Sequence, residues 1–133
     1  GRVDLGRAAV EAGVACAIDV SDGLLQDLGH VAERSDVGVE IDIVSLPLHP
    51  AAVEALGPQR AMDLALGGGE DFELALAGPA DVLVGLSTPE LPVTVIGLAV
   101  EAHAGKSWAL TIGGDRYEPP VAGWDQLRRQ SAP

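Results

Sequence analysis

The stretch IDVSDGLLQDLGH, Ile18 to His30, contains the transition on which the predicted fold rests. An apolar run ends at Asp19, and apolar residues then recur at spacings of three and four, which is typical of an amphipathic helix. Between the run and the helix lie Ser21, Asp22 and Gly23. The pattern therefore predicts a buried strand, a short polar turn, and a helix that has Ser21 as its N-cap.

The rest of the chain alternates between helical and strand patterns without a regular repeat. Further helices are expected at residues 4–12, 50–56, 60–66, 80–86 and 123–129, and strands at 14–20, 37–44, 71–77, 93–100 and 108–112. Several strands are expected to be antiparallel neighbours. We therefore expect one α+β domain over residues 1–133, a layered α/β/α arrangement with a mixed, largely antiparallel sheet.

Composition limits the classes of function. With 47% hydrophobic residues the chain has enough apolar content for a folded core, and its net charge of −12 disfavours binding to nucleic acid or to anionic membranes. No apolar run approaches the roughly 20 residues of a membrane helix, and no secretory signal is visible. A cytoplasmic location is therefore expected. The single cysteine, Cys16, permits neither an intrachain disulfide nor a zinc site built from cysteines.

The residues around the turn have two interpretations. Asp19 lies at the carboxyl end of the predicted strand, the edge of a sheet at which ligands bind in layered α/β structures. A helix that begins at Ser21 would offer unpaired backbone N–H groups to an anion, and Asp22 adds a second hard carboxylate, so the group suits a magnesium–phosphate complex. The simpler alternative is a capped helix, with Ser21 as N-cap and Asp22 interacting with the helix dipole.

A second acidic motif, GGGED, covers Gly67 to Asp71. Three consecutive glycines are more than a helix stop requires, which indicates close packing of the backbone against a ligand or another segment. A flexible loop with solvated acids at Glu70 and Asp71 is the alternative. The Lys and Ser or Thr of a P-loop do not follow the glycines.

Taken together, AIDVSDGLLQDLGH (residues 17–30), LALGGGEDFELAL (64–76) and GWDQL (123–127) resemble the C-terminal domain of thiamine-monophosphate kinase. That family belongs to the superfamily of aminoimidazole ribonucleotide synthetase, so the resemblance implies the fold of that enzyme's C-terminal domain. It covers nearly the whole chain. Other members of the superfamily lack the DVSDG stretch, which argues against a relative that acts on a different phosphorylated intermediate.

The resemblance implies transfer of the γ-phosphoryl group of ATP to thiamine monophosphate, with Mg²⁺ as cofactor. It implies that Asp19 and Asp22 are magnesium ligands, that Ser21 contacts ATP, that Glu70 contacts the thiamine substrate, and that Trp124 forms a wall around its ring system. No side-chain nucleophile is required, because this chemistry depends mostly on positioning and charge neutralisation.

The resemblance also implies that this chain lacks an N-terminal domain, which would carry a further metal motif, most of the nucleotide site and the homodimer interface. Without that domain the chain is expected to be inactive. The competing hypothesis is a stand-alone acidic α+β module that binds a small ligand or a partner without catalysis. Convergence of Asp19, Asp22 and Glu70 in one cleft would favour the kinase.

Overall fold

The computed structural model describes residues 2–68, 73–102 and 107–117. In these ranges, helices and strands alternate much as the sequence predicts. The helices are α1 Val3–Glu11, α2 Leu24–Arg34, α3 Pro50–Leu56, α4 Pro58–Gly67 and α5 Ala80–Gly85. The strands are β1 Cys16–Val20, β2 Val37–Asp42, β3 Glu73–Ala77, β4 Gly97–Glu101, β5 Trp108–Ile112 and β6 Asp115–Tyr117, and a short 3-10 helix, Ile43–Ser45, follows β2.

The described strands form two sheets. β1 and β3 form an antiparallel pair, and the second sheet has the strand order β4-β2-β5-β6. In that sheet β2 and β5 run parallel, whereas β2–β4 and β5–β6 are antiparallel. The predicted α+β fold with a mixed, largely antiparallel arrangement of strands is thus confirmed.

Helix α2 connects the two sheets, because it packs against β1 of one sheet and against β2 and β5 of the other. Its residue Leu25 joins a core in which Ile41 and Leu66 are 0% exposed and Leu110 is 2% exposed. Burying a large aliphatic side chain contributes about 1.5–3 kcal/mol. The core therefore fixes the position of α2, and with it the position of the turn before α2.

The strand before that turn differs from the prediction. It is not buried along its length: Ala17 and Asp19 are exposed, Ile18 is half-buried and Val20 is buried. This alternation arises because only one face of the β1–β3 pair packs on the core, which is common in antiparallel sheets. The helix predicted at 123–129 lies outside the described residues.

Among the described residues, no helix has the length and apolar character needed to span a bilayer.

Candidate functional site

Strand β1 presents Asp19 at the surface. The strand ends at Val20, which is buried in the core, so the pleat directs the preceding side chain to the opposite, exposed face. In the antiparallel register, Asp19 lies opposite Leu74 and Val20 lies opposite Glu73 of β3. The structure therefore places the Asp19 carboxylate at the surface, at the end of β1 that adjoins the turn.

The turn itself, Ser21–Gly23, is here called the SDG turn. The prediction that Ser21 caps helix α2 is wrong. The N-cap is Gly23, which has φ 133° and ψ 145° and makes no side-chain capping hydrogen bond. Only glycine adopts such angles without strain. The helix therefore has its N-cap at Gly23, two residues later than predicted. Ser21 and Asp22 are both exposed.

Close packing against α4 holds the other side of the SDG turn. A Cβ atom at Gly23 would lie 3.1 Å from the carbonyl oxygen of Gly67, the last residue of α4. Gly67 is also the first residue of the GGGED motif. The two motifs that the sequence singled out therefore touch through their backbones, and a side chain at Gly23 would force them apart.

A buried carboxylate on α2 binds the backbone of the SDG turn. Asp27 on α2 is 4% exposed, and its Oδ2 atom accepts hydrogen bonds from the backbone N–H groups of Ser21 at 2.8 Å and Asp22 at 3.1 Å. Those N–H groups are the ones that the sequence interpretation offered to a ligand anion. In the structure the chain's own carboxylate binds them, so it is the side chains of the turn, rather than these two N–H groups, that face outward.

Sequence reasoning missed Asp27, although a signal was present. Residue 27 lies three positions after Leu24 and four before Val31, both of which belong to the predicted core-facing stripe of α2. An acidic residue on the apolar face of a helix requires a hydrogen-bonding partner. The nearest groups in need of one are the N–H groups of the preceding turn.

Two of the predicted substrate contacts cannot be placed. Glu70 and Trp124 lie outside the described residues, so their convergence with Asp19 and Asp22 stays a prediction. The described residues on either side of 69–72 do lie beside the SDG turn. Gly67 contacts Gly23, and Glu73 pairs with Val20 at the end of β1.

Glu73 is already engaged by a cation. Arg2 donates to it through Nε at 2.9 Å and Nη2 at 2.7 Å, a two-pronged ion pair between the start of α1 and the start of β3. This hydrogen bonding holds the pKa of Glu73 below its usual value, against a smaller opposing effect of partial burial. Glu73 is therefore a structural partner of Arg2 rather than a free ligand.

Asp19 and Asp22 are the residues of this site that could bind a metal ion. Within 2–68, 73–102 and 107–117, no three or more His, Cys, Asp or Glu side chains are grouped as a metal site would require. Asp19 and Asp22 alone supply two hard carboxylates. Mg²⁺ characteristically binds through one or two carboxylates, completing its shell with water and substrate phosphates. The donor set therefore suits a magnesium ion shared with a phosphorylated ligand.

A separate cavity of about 180 Å³ lies against α4. Its lining is mostly apolar and consists of Ile43, Pro58, Gln59, Met62, Leu66 and Tyr117. None of the described residues that line it is acidic.

Comparison with known proteins supports the family resemblance. No protein-family model matches the chain. The thiamine-monophosphate kinase of Haemophilus influenzae is 39% identical over 101 residues, which covers 72% of this chain and 30% of that enzyme.

Two solved structures agree with that match. Thiamine-monophosphate kinase from Stenotrophomonas maltophilia superposes with a TM-score of 0.70 at 38% identity, over 87% of this chain and 36% of that one. AaThiL complexed with AMPPCP and TMP superposes with a TM-score of 0.65 at 31% identity, over 89% of this chain and 36% of that one. The resemblance seen in the sequence is thus confirmed, and this chain spans about one third of the length of its relatives.

Proposed function

We propose that this chain, a homologue of one segment of the thiamine-monophosphate kinases, is the C-terminal domain of an enzyme that phosphorylates thiamine monophosphate. The observation that carries the proposal is the match to AaThiL, a relative of the same fold whose structure contains AMPPCP and TMP together. A non-catalytic binding module is less favoured, because the related proteins are kinases.

The proposed reaction is a phosphoryl transfer. An oxygen of the monophosphate forms a bond to the γ-phosphorus of ATP, the bond from that phosphorus to the bridging oxygen breaks, and ADP leaves with thiamine diphosphate as the other product. The acceptor is already an anionic oxygen, so no side-chain nucleophile is required. What the protein must supply is in-line positioning and relief of charge repulsion between two anionic substrates.

The residues of this chain have distinct proposed roles. Asp19 and Asp22 would hold Mg²⁺, which when bound neutralises phosphate charge. The exposed Ser21 hydroxyl would contact ATP, since its backbone N–H is already bound to Asp27. Glu70 and Trp124 would contact the thiamine substrate. The backbone contact between the SDG turn and the start of the GGGED motif supports the assignment of Glu70, because that motif contains Glu70.

The rest of the catalytic assembly would come from elsewhere. We propose that an N-terminal domain, joined to this one in a homodimeric, cytoplasmic enzyme, completes the nucleotide site. The match to this chain takes up only about one third of each relative, which leaves room for such a domain. The 133 residues alone are then expected to show no substantial kinase activity.

The test is a kinase assay on the full-length protein with ATP, Mg²⁺ and thiamine monophosphate. Asp22→Asn removes one metal-binding charge and is expected to lower kcat/KM by about 100-fold or more, since disturbing even the supporting residues of a metal site commonly costs 10–100-fold.

Asp36→Asn is the matched control. It removes the same charge from an exposed residue just beyond the far end of α2, at φ 54°, a conformation that Asn adopts readily. Wild-type activity in this control, together with loss in Asp22→Asn, supports the proposal. Equal activity in all three proteins would remove Asp22 from the site, and absence of thiamine diphosphate with the wild type would overturn the proposed function.

A further inference from the structure

The SDG turn exposes the side chains of Ser21 and Asp22, whereas its backbone is bound by α2. Asp19, Ser21 and Asp22 are exposed, whereas Gly23, Leu24 and Asp27 are buried. The N-cap of α2, Gly23, makes no side-chain hydrogen bond that would join the turn to the helix. The turn is held instead by its contacts with α2 and α4.

Among the described residues, Ser21 and Asp22 are joined to the body of α2 by the two hydrogen bonds that Asp27 accepts from their backbone N–H groups. Both end on the same oxygen atom, Oδ2, so one carboxylate fixes two successive peptide planes. The orientation of a side chain follows from the peptide planes on either side of its Cα atom. The bound N–H groups belong to both peptide planes that flank Ser21 and to the plane that precedes Asp22, so they restrict the directions that the two side chains can take.

We propose that Asp27 is a positioning residue: its buried carboxylate holds the SDG turn in the geometry in which Asp22, with Asp19, binds Mg²⁺. This inference rests on the proposed function. Asp27 does not touch the metal or the substrates. It acts through the backbone, as outer residues do when they orient the direct ligands of a metal ion.

Two variants separate hydrogen bonding from charge. Asp27→Asn keeps a carbonyl oxygen that can accept both N–H groups, but it removes the negative charge. Asp27→Ala removes both. Asp42→Ala is the matched control, because Asp42 also accepts backbone N–H groups but does so at the 3-10 helix and at Gly113, away from the SDG turn.

Three quantities are measured on the full-length protein: amide hydrogen exchange at Ser21 and Asp22, the Mg²⁺ dissociation constant by calorimetry, and kinase activity as a function of Mg²⁺ concentration. For Asp27→Ala we expect exchange to accelerate at least about tenfold at both amides, because each loses its acceptor. We expect Mg²⁺ to bind about 10- to 100-fold more weakly. In Asp27→Asn both quantities should lie within about threefold of the wild type, and Asp42→Ala should change neither.

The outcomes distinguish this inference from the proposed function. Unchanged Mg²⁺ affinity in a folded Asp27→Ala protein would overturn it. So would an Asp27→Asn variant that binds Mg²⁺ as poorly as Asp27→Ala, since charge rather than positioning would then be responsible. If the wild type forms no thiamine diphosphate, the proposed function fails, but exchange and Mg²⁺ calorimetry still decide whether Asp27 positions the turn for a metal.

Discussion

Two turns of this molecule are each held by an aspartate carboxylate, and the two carboxylates differ in how deeply they are buried. At the SDG turn, Asp27 is 4% exposed and its hydrogen bonds measure 2.8 and 3.1 Å. At the hairpin turn between β5 and β6, Gly113–Gly114, half-buried Asp42 accepts from Gly113 at 3.3 Å and from Val44 at 3.2 Å. Water can replace the longer, exposed bonds of Asp42, whereas it has little access to Asp27.

The difference corresponds to what each turn carries. The SDG turn carries Asp22 and adjoins Asp19, the two acids that we propose as magnesium ligands, and ligand groups bind well only when they are held in a fixed geometry. The hairpin turn joins two strands, a role that tolerates movement. Burial of the anchoring carboxylate, rather than its mere presence, is therefore the feature that separates a candidate site from an ordinary connection.

The largest effect is expected from the core beneath the SDG turn. Leu66 is 0% exposed and directly precedes Gly67, which packs on Gly23. Leu66→Ala should lower the free energy of unfolding by about 2–5 kcal/mol, measured by urea denaturation. Leu64→Ala on the same helix is the control, because Leu64 is 49% exposed. A loss of equal size at Leu64 would contradict this assignment of the core.

A matched pair of glycines compares the two turns directly. Gly23→Ala should cost about 3 kcal/mol, because it imposes a φ that only glycine tolerates and places a methyl group 3.1 Å from the Gly67 oxygen. Gly113→Ala should cost about 1 kcal/mol, since φ there is 58° and nothing lies within 4 Å of the added atom. The loss of stability of each variant is measured by thermal unfolding against the wild type. Equal losses would contradict both the greater backbone strain at Gly23 and the effect of its contact with Gly67.

Removing the two carboxylates gives smaller differences. Asp27→Ala leaves two partly buried N–H groups without an acceptor and should destabilise the protein by about 1–3 kcal/mol. Asp42→Ala removes a cap from the exposed 3-10 helix and should cost about 1 kcal/mol. The two free energies come from the same denaturation experiment. A larger loss at Asp42 than at Asp27 would reverse the comparison between the turns.

Much of this arrangement can be predicted from the sequence, because periodic apolar residues dictate which faces are buried. The stripe that begins at Leu24 and Leu25 predicts α2, and that helix forms as expected. Strand β6, Asp115–Tyr117, was not predicted. Its three residues carry no alternating pattern, and they form a strand only because the Gly113–Gly114 turn folds them back onto β5.

At the candidate site, composition indicated which residues matter but not how they are held. A cluster of Asp, Ser and Gly after a strand indicates both a capped helix and a ligand site, and local propensity cannot choose between them. The conformation of the SDG turn depends instead on two contacts, with Asp27, five and six residues further along the chain, and with Gly67 at the end of α4. Such contacts are set by packing, which a single sequence does not specify.

The smallest expected effect concerns the flank of the SDG turn, where Glu73 pairs with Val20 and is bound by Arg2. The hydrogen bonds from Arg2 hold the pKa of Glu73 below its usual value, so the pair stabilises the fold above the pKa of the unfolded carboxyl. That contribution is lost as the pH falls through the lowered, folded-state pKa. The unfolding temperatures of the wild type and of Arg2→Gln should therefore differ slightly at neutral pH and converge in acid.

The difference in unfolding temperature is small because both side chains are substantially exposed. Arg7→Gln on the same helix, an exposed residue, is the control. A gap between the wild type and Arg2→Gln that persisted at acid pH would show that Arg2 stabilises the protein through some contact other than its pairing with Glu73.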